Sequence, residues 1–114
     1  MDFKKKFDIN QRRNEANRIR KRYPDRIPII VQDNPNNNLP SLDKYKYLVP
    51  HDLSLGQFIY VLRKRIELSP EQAIFLFIGG QLPSSSETMS KLYKECKDED
   101  NFLYINISGE NTFG

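Results

Sequence analysis

At 114 residues and 13.5 kDa, with 38% hydrophobic residues, the chain makes one domain, large enough to bury roughly 65% of its unfolded surface and hold a core without staples. The single cysteine, Cys96, excludes an internal disulfide and fits a reducing, cytosolic setting; the single histidine, His51, has no Cys or His neighbour at ligand spacing, which excludes a zinc constellation. The net charge of +3 is unevenly spread: residues 1–26 hold ten Lys or Arg against four Asp or Glu, residues 27–86 five of each, and residues 87–114 three against six, so the chain is basic at its head and acidic at its tail.

Met1-Asp2-Phe3-Lys4-Lys5-Lys6 has charge but no apolar stretch behind it, so no signal peptide is expected. The longest apolar run, Ala73 to Ile78, falls far short of the ~20 residues of a helical span. Neither a myristoylation glycine nor a prenylation cysteine is present.

Residues 1–23 read as helical. Ala16, Ile19 and Tyr23 recur at spacings of three and four, with Arg12, Arg13, Arg18, Arg20, Lys21 and Arg22 on the other faces, until Pro24 ends the run. Phe3, Phe7 and Ile9 suit a short preceding helix, because Asp8 and Asn10 between them are cap residues. So basic a helix invites a nucleic-acid reading, but it lacks the aromatic interleaving that stacks bases, and a charge-rich face is usually just solvated; no nucleic-acid partner is expected.

Ile27-Pro28-Ile29-Ile30-Val31 reads as a strand and Asn34 to Asn38 as a turn cluster. Lys44 to Pro50 is a second strand whose lysines and terminal proline mark a sheet edge, so the two form a hairpin with its second arm outermost. Ser54-Leu55-Gly56-Gln57 is a capping box opening the clearest helix, with Leu55, Phe58, Ile59, Leu62 and Ile66 on one face and Arg63, Lys64 and Arg65 outside. Ser69 to Gln72 is expected to start a brief helical turn. Ile74 to Ile78 is a buried strand turned back by Gly79-Gly80. From Thr88 the pattern Met89, Leu92, Tyr93, Cys96 is again helical, and Lys97 to Asp100 reads as a solvated charge run. Phe102 to Ile107 closes the chain as a strand buried on both sides, followed by a polar tail.

Two hairpin strands, a crossover helix and a closing hydrophobic strand describe an α+β chain with a ubiquitin-like β-grasp and two additional N-terminal helices. The expected division is a helical extension over 1–24, the β-grasp core over 25–108 and a flexible tail over 109–114. In that architecture the last strand lies parallel beside the first, in the middle of the sheet.

Lys21-Arg22-Tyr23-Pro24-Asp25-Arg26-Ile27-Pro28-Ile29-Ile30-Val31 is a specific signature when taken with Leu42-Asp43-Lys44, Lys46 to Pro50, Gly56-Gln57-Phe58, Arg63 to Ile66, Thr88-Met89, Leu92-Tyr93 and Asp98-Glu99-Asp100. With these residues the chain closely resembles the autophagy ubiquitin-like modifiers, the GABARAP and light-chain-3 family, over nearly its whole length. The resemblance implies a modifier and not an enzyme, with no cofactor. Family members are activated at a terminal glycine, here Gly114, by an activating enzyme, passed to a conjugating enzyme and joined to phosphatidylethanolamine on autophagic membranes. Relatives often carry residues beyond this glycine that a processing cysteine protease removes. Glycine suits the role because its carboxylate, with no Cβ beside it, can thread a narrow channel to a thiolate. Localisation is then cytoplasmic, and lipid-anchored to autophagosomal or related organelle membranes after conjugation.

The resemblance further implies capture of aromatic-x-x-aliphatic motif peptides of receptors and adaptors at the edge strand. By alternation, Lys46 and Leu48 face one side of that strand and Tyr47 and Val49 the other, with the N-terminal helix covering one face of the sheet and the 55–66 helix the opposite one. Position by position, the aromatic pocket comprises Glu15, Ile19, Pro28, Ile30, Lys46, Leu48 and Phe102. The aliphatic pocket comprises Tyr47, Val49, Pro50, Leu53, Phe58, Val61 and Leu62. Arg26, Lys44, Lys46 and Arg65 are the charge contacts for acids flanking the motif. Tyr45, Asn17 and the neutral Asn34 to Asn38 loop depart from the family pattern and bear on partner selectivity. The competing expectation is an unconjugated or non-autophagic trafficking adaptor working through the same edge. A Cys96–His51 nucleophile carries little weight, one of each in so short a chain being most often incidental. Asn106-Ile107-Ser108, although it matches a glycosylation sequon, sits in a strand expected to be buried.

Overall fold

A computed structural model describes residues 2–33 and 39–110. Eight elements follow one another: α1 (Phe3–Lys6), α2 (Ile9–Arg22), β1 (Arg26–Asp33), β2 (Lys46–Pro50), α3 (Leu55–Ile66), β3 (Phe75–Phe77), α4 (Met89–Cys96) and β4 (Leu103–Ser108). They form one four-stranded sheet in the order β2-β1-β4-β3. β1 is antiparallel to β2, with Ile27 opposite Val49 and Ile29 opposite Tyr47, and parallel to β4, with Ile29 opposite Leu103 and Val31 opposite Ile105. β3 closes the far side antiparallel to β4. This is the ubiquitin-like grasp expected from the element order, with β4 in the middle and β2 at one edge.

Local chemistry sets the helix ends. Asp8 caps α2 by accepting from the Gln11 amide at 2.8 Å while the Gln11 side chain accepts from the Asp8 amide at 3.0 Å. Ser54 and Gln57 make the same reciprocal box on α3 at 3.1 and 2.9 Å, and Thr88 caps α4. Gly79 and Gly80 both have positive φ, +58° and +77°, and join Ile78 to Gln81 in a two-residue turn of the type that needs two such residues. Glu67 holds the left-handed position at the end of α3, φ 59°, more often given to glycine.

The strand period of two divides the apolar residues between the faces of the sheet. Ile27, Ile29 and Val31 of β1 join Tyr47, Val49, Leu103, Ile105 and Ile107 in a large core under α3 and α4, with Leu55, Phe58, Leu62, Met89 and Leu92. Ile30 and Phe102 face the other way, into a smaller core with Phe3, Ala16 and Ile19. The N-terminal helices and α3 thus cover opposite faces, as the alternation requires.

Several boundaries differ from those expected. β1 runs three residues longer than Ile27–Val31, and β2 begins at Lys46 instead of Lys44, although the Val31 amide still reaches the Tyr45 carbonyl at 2.7 Å. Ser69 to Gln72 is one hydrogen-bonded turn, Gln72 N to Ser69 O at 3.1 Å, and not helix. The carbonyls of Ser69 and Gln72 are taken up by the Arg63 guanidinium, which holds the segment as a turn. β3 is trimmed to three residues and β4 shifts by one to Leu103–Ser108, with Asn106 exposed and Tyr104 half-buried, so β4 is not buried along both sides. Gly109 is buried and its carbonyl accepts from Gln72 Nε2 at 3.3 Å.

Candidate functional site

β2 is the edge strand, and the ladder fixes which of its backbone groups look outward. The Val31 N–H donates to Tyr45 O, so by alternation the pairs Ile29–Tyr47 and Ile27–Val49 exchange hydrogen bonds with β1. Lys46 and Leu48 then direct their amides and carbonyls away from the sheet. Pro28, opposite Leu48, is tolerated in an inner strand for the same reason: its missing N–H is on the side away from β2, one residue before pairing with β4 begins at Ile29. Arg26 reaches across and donates from Nη1 to the outward Leu48 carbonyl at 3.1 Å.

On the α2 side the structure brings the aromatic-pocket residues together around the smaller core. Ile30 and Phe102 are completely buried, Ile19 and Pro28 nearly so, and Leu48 packs half-buried against them. Lys46 and Glu15, both half-buried, form an ion pair over this cluster. Phe3, which the sequence reading left out of the pocket, lies at its centre: 1% exposed, edge-on to Phe102 at 5.3 Å between ring centroids, 5.2 Å from Phe7 and 5.9 Å from Tyr45. The Lys46 ammonium stands 6.0 Å from the Phe3 ring.

On the α3 side Phe58 and Leu62 are fully buried, and Tyr47 and Val49 are 5% and 7% exposed, so these four belong to the main core and lie beneath the surface. Leu53 is half-buried against them, while Pro50 and Val61 are open to solvent. Tyr47 packs edge-on to Phe58 at 5.5 Å and carries the Lys44 ammonium 4.9 Å above its ring. Its buried hydroxyl has no hydrogen-bond partner among the described residues, and burial raises its pKa. Arg65, in turn, is paired with Asp43 at 3.3 Å. Gly114, together with Phe113 and Thr112, lies outside the described residues.

The helices that carry Glu15 and Ile19 are fastened by a charge network that composition conceals. Arg12 and Asp100 read as solvated charges, yet they are 7% and 0% exposed and form an ion pair at 2.9 Å. Arg12 Nη1 also donates to the carbonyls of Phe7 at 2.6 Å and Lys4 at 3.3 Å, closing the α1–α2 joint. Asp100 accepts in addition from the Phe102 amide at 2.9 Å and from the Tyr104 hydroxyl. The buried guanidinium and carboxylate are thus paired with each other and with further hydrogen-bond partners, as burial of charge demands. Burial and the Asp100 hydrogen bond push the Tyr104 phenol far above its ordinary pKa. Lys4 reaches Asp98 at 2.6 Å; burial opposes ionisation of Asp98, but Lys4 and the Asp100 amide outweigh it and hold its pKa below the usual value.

Among the described residues no helix is long and apolar enough to cross a membrane, and no group of three or more His, Cys, Asp or Glu stands ready for a metal ion.

Residues 11–114 match the family model described as autophagy protein Atg8, ubiquitin like. Autophagy-related protein 8e of Arabidopsis thaliana is 57% identical over 112 residues, covering 98% of this chain and 92% of that protein. Autophagy-related protein 8 of Schizosaccharomyces pombe is 55% identical over 112 residues, covering 98% and 93%. Among solved structures, Trypanosoma brucei ATG8 superposes with a TM-score of 0.91 at 43% identity, covering 100% of this chain and 98% of that one. Plasmodium falciparum Atg8, solved in complex with a Plasmodium falciparum Atg3 peptide, gives 0.88 at 33% identity, covering 96% and 97%.

Proposed function

Because the chain belongs to the Atg8 family of ubiquitin-like autophagy proteins, we propose that it is a modifier joined through the carboxylate of Gly114 to the amine of phosphatidylethanolamine. The observation that carries this reading is the family match running through residue 114. In it the chain is the substrate of other enzymes' chemistry, not a catalyst: an activating enzyme and then a conjugating enzyme hold Gly114 as a thioester before transfer to the lipid. Two acyl chains make a stable anchor where one is marginal, so conjugation moves the protein from the cytoplasm onto autophagosomal or related membranes. A processing protease is a further partner where residues follow the glycine in the encoded chain. The P. falciparum neighbour was solved with an Atg3 peptide, and we take a corresponding protein as a partner of this chain.

The second activity is peptide capture at β2. Outward amides and carbonyls at Lys46 and Leu48 offer main-chain pairing, and the strand's alternation sends successive partner side chains toward the Leu48 cluster and toward Leu53, Pro50 and Val61. The aromatic anchor requires the Lys46–Glu15 pair to part, because that pair lies over the cluster it would enter. The basic residues Arg26, Lys44 and Arg65 suit acids flanking the motif.

Incubation with the matching activating and conjugating enzymes, ATP and phosphatidylethanolamine liposomes should give a lipid adduct by mass, lost when Gly114 is deleted. No adduct, or one that survives the deletion, refutes conjugation. Leu48→Arg in the same assay should keep the adduct and lose the peptide. Retained capture removes β2 as the docking edge, and capture without any adduct would favour the unconjugated adaptor.

A further inference from the structure

A cleft of ≈ 610 Å³ opens on the side of the molecule between the C-terminal end of α2, the start of β1 and α4. Its cations are Arg20, Lys94 and Lys97. Ser90 and Lys94 stand four apart on α4, the spacing that puts side chains on one helical face, next to the apolar stripe of Met89, Leu92 and Tyr93, and Lys97 follows as the C-cap of the helix.

Arg20 is fixed before any ligand arrives. Its Nη1 donates to the carbonyls of Pro24 at 3.1 Å and Arg26 at 2.7 Å, and its guanidinium carbon lies 5.3 Å from the centre of the Tyr93 ring. The Lys97 ammonium stands 5.4 Å from the same ring centre, so one phenol gathers two cations. None of Arg20, Lys94 and Lys97 has a carboxylate at ion-pair distance among the described residues, whereas Lys4, Arg12, Lys46, Arg65 and Lys91 each find one. This is notable on α4, in a segment where acids outnumber bases six to three. Three like charges without an ion-pair partner around one concavity raise the local concentration of anions.

The remaining polar groups narrow the ligand. Asp25 adds a carboxylate to the wall, which leaves three cations against one anion, and Ser90 adds a hydroxyl. A simple anion would use one cation and none of these. The volume is that of a site for a small molecule, in the range of about 300–1,000 Å³. We propose that the cleft binds a multiply phosphorylated polyol of the inositol phosphate class, free or as the headgroup of a lipid: the cations take the phosphates, and Asp25 and Ser90 take the hydroxyls. This assignment stands on the cleft alone and is independent of conjugation and of peptide capture at β2.

The full chain, labelled for amide spectra, should be titrated with an inositol trisphosphate, which keeps three hydroxyls free, and with inorganic sulfate at matched ionic strength. Shifts should centre on residues 20–27 and 90–97, with sulfate at least ~10-fold weaker. Lys94→Glu with Lys97→Glu should weaken binding by ~10-fold or more and Lys94→Glu alone by several-fold, while Lys91→Glu, the same charge change as Lys94→Glu on the same helix outside the cleft, should stay within about twofold. All three lysines are exposed, so an unchanged melting temperature certifies the fold. Flotation with phosphatidylcholine vesicles carrying a phosphoinositide, against vesicles carrying phosphatidylserine at equal charge, separates the sources. Phosphoinositide-selective flotation assigns the headgroup, and binding of the free compound alone assigns the soluble form. Equal losses from Lys91→Glu, equal affinity for sulfate, stronger occupation by a phosphate-free Asp/Glu-rich peptide, or no binding in either arm overturns the proposal.

Discussion

Asp100→Asn is the sharpest test of how the N-terminal helices are held. The carboxylate is completely buried and accepts from Arg12 Nε at 2.9 Å, from the Phe102 amide at 2.9 Å and from the Tyr104 hydroxyl. An asparagine keeps the shape and one acceptor oxygen. Turned to satisfy the Phe102 amide, it points its NH₂ donors at the Arg12 donor and the Tyr104 hydroxyl, leaving a guanidinium that is 7% exposed without a counter-ion. Breaking a buried pair by removing one partner costs about 3–5 kcal/mol, a large part of the ~5–15 kcal/mol available to a domain of this size. At roughly 4–8 °C per kcal/mol for a small domain, the melting temperature should fall by about 12–40 °C. Peptide affinity should fall with it, since Glu15 and Ile19 ride on the helix that Arg12 anchors. Arg12→Met combined with Asp100→Leu should recover much of the loss, because an uncompensated charge costs more than an apolar replacement of both partners. Chemical denaturation of Asp100→Asn, of the singles Arg12→Met and Asp100→Leu and of the double variant reads these terms. A loss under ~1 kcal/mol for Asp100→Asn, or a double variant no better than the singles, would refute the reasoning.

Arg26→Ala removes an exposed contact to the Leu48 carbonyl, so stability should move by no more than about 0.5 kcal/mol. Its loss should slow association of a peptide with acidic flanks several-fold and flatten the salt dependence of the on-rate, with little change in dissociation, all readable by stopped flow. An effect mainly on dissociation would mean that Arg26 is buried in the complex. The second expectation concerns acid. The folded-state pKa of Asp98 is lowered, so the native state binds fewer protons than the unfolded one. The stabilisation is therefore present above the ordinary carboxylate value of about 3.9 and is lost as pH falls through the lowered one. Lys4→Met should destabilise the protein at neutral pH and approach the parent as denaturation is followed from pH 5 downward; a gap that stays constant with pH would break the link to Asp98.

What was legible in the sequence was local. The Ser54–Gln57 box, the Gly79-Gly80 turn and the alternation along Lys46 to Val49 are relations among neighbours, and each fixed an element that the structure contains. Arg12 and Asp100 were not legible, because a buried ion pair 88 residues apart has the same composition as two solvated charges. Their one local trace is position: Arg12 stands four before Ala16, on the stripe that α2 turns inward. Phe3 escaped for the same reason. Its neighbours are lysines, and only the meeting of α1 with Phe102 and Tyr45 gives it a core to enter. Phe58 and Leu62 fit both the helix's apolar stripe and the pocket that the resemblance implies, and in the structure the stripe places them under the surface.

The same alternation that builds the sheet explains how one exposed strand can be both open and safe. A row of outward amides and carbonyls is a template for pairing with any extended chain, and a long flat edge would aggregate. Here the row is short, five residues from Lys46 to Pro50; it ends in proline, carries lysine at its start, and has its Leu48 carbonyl covered by Arg26. The two faces of β2 belong to two separate cores, so the peptide proposed to dock there would be read on both sides at once: one anchor would have to displace an ion pair on the smaller core, and the next to find the Leu53–Val61 rim of the larger one. A peptide with only one of the two anchors gains about half of the apolar burial but still loses the entropy of ordering the whole strand. Under the proposed peptide capture, selectivity for a two-anchor motif would follow from placing a two-faced strand at the edge of a sheet with a helix on each side.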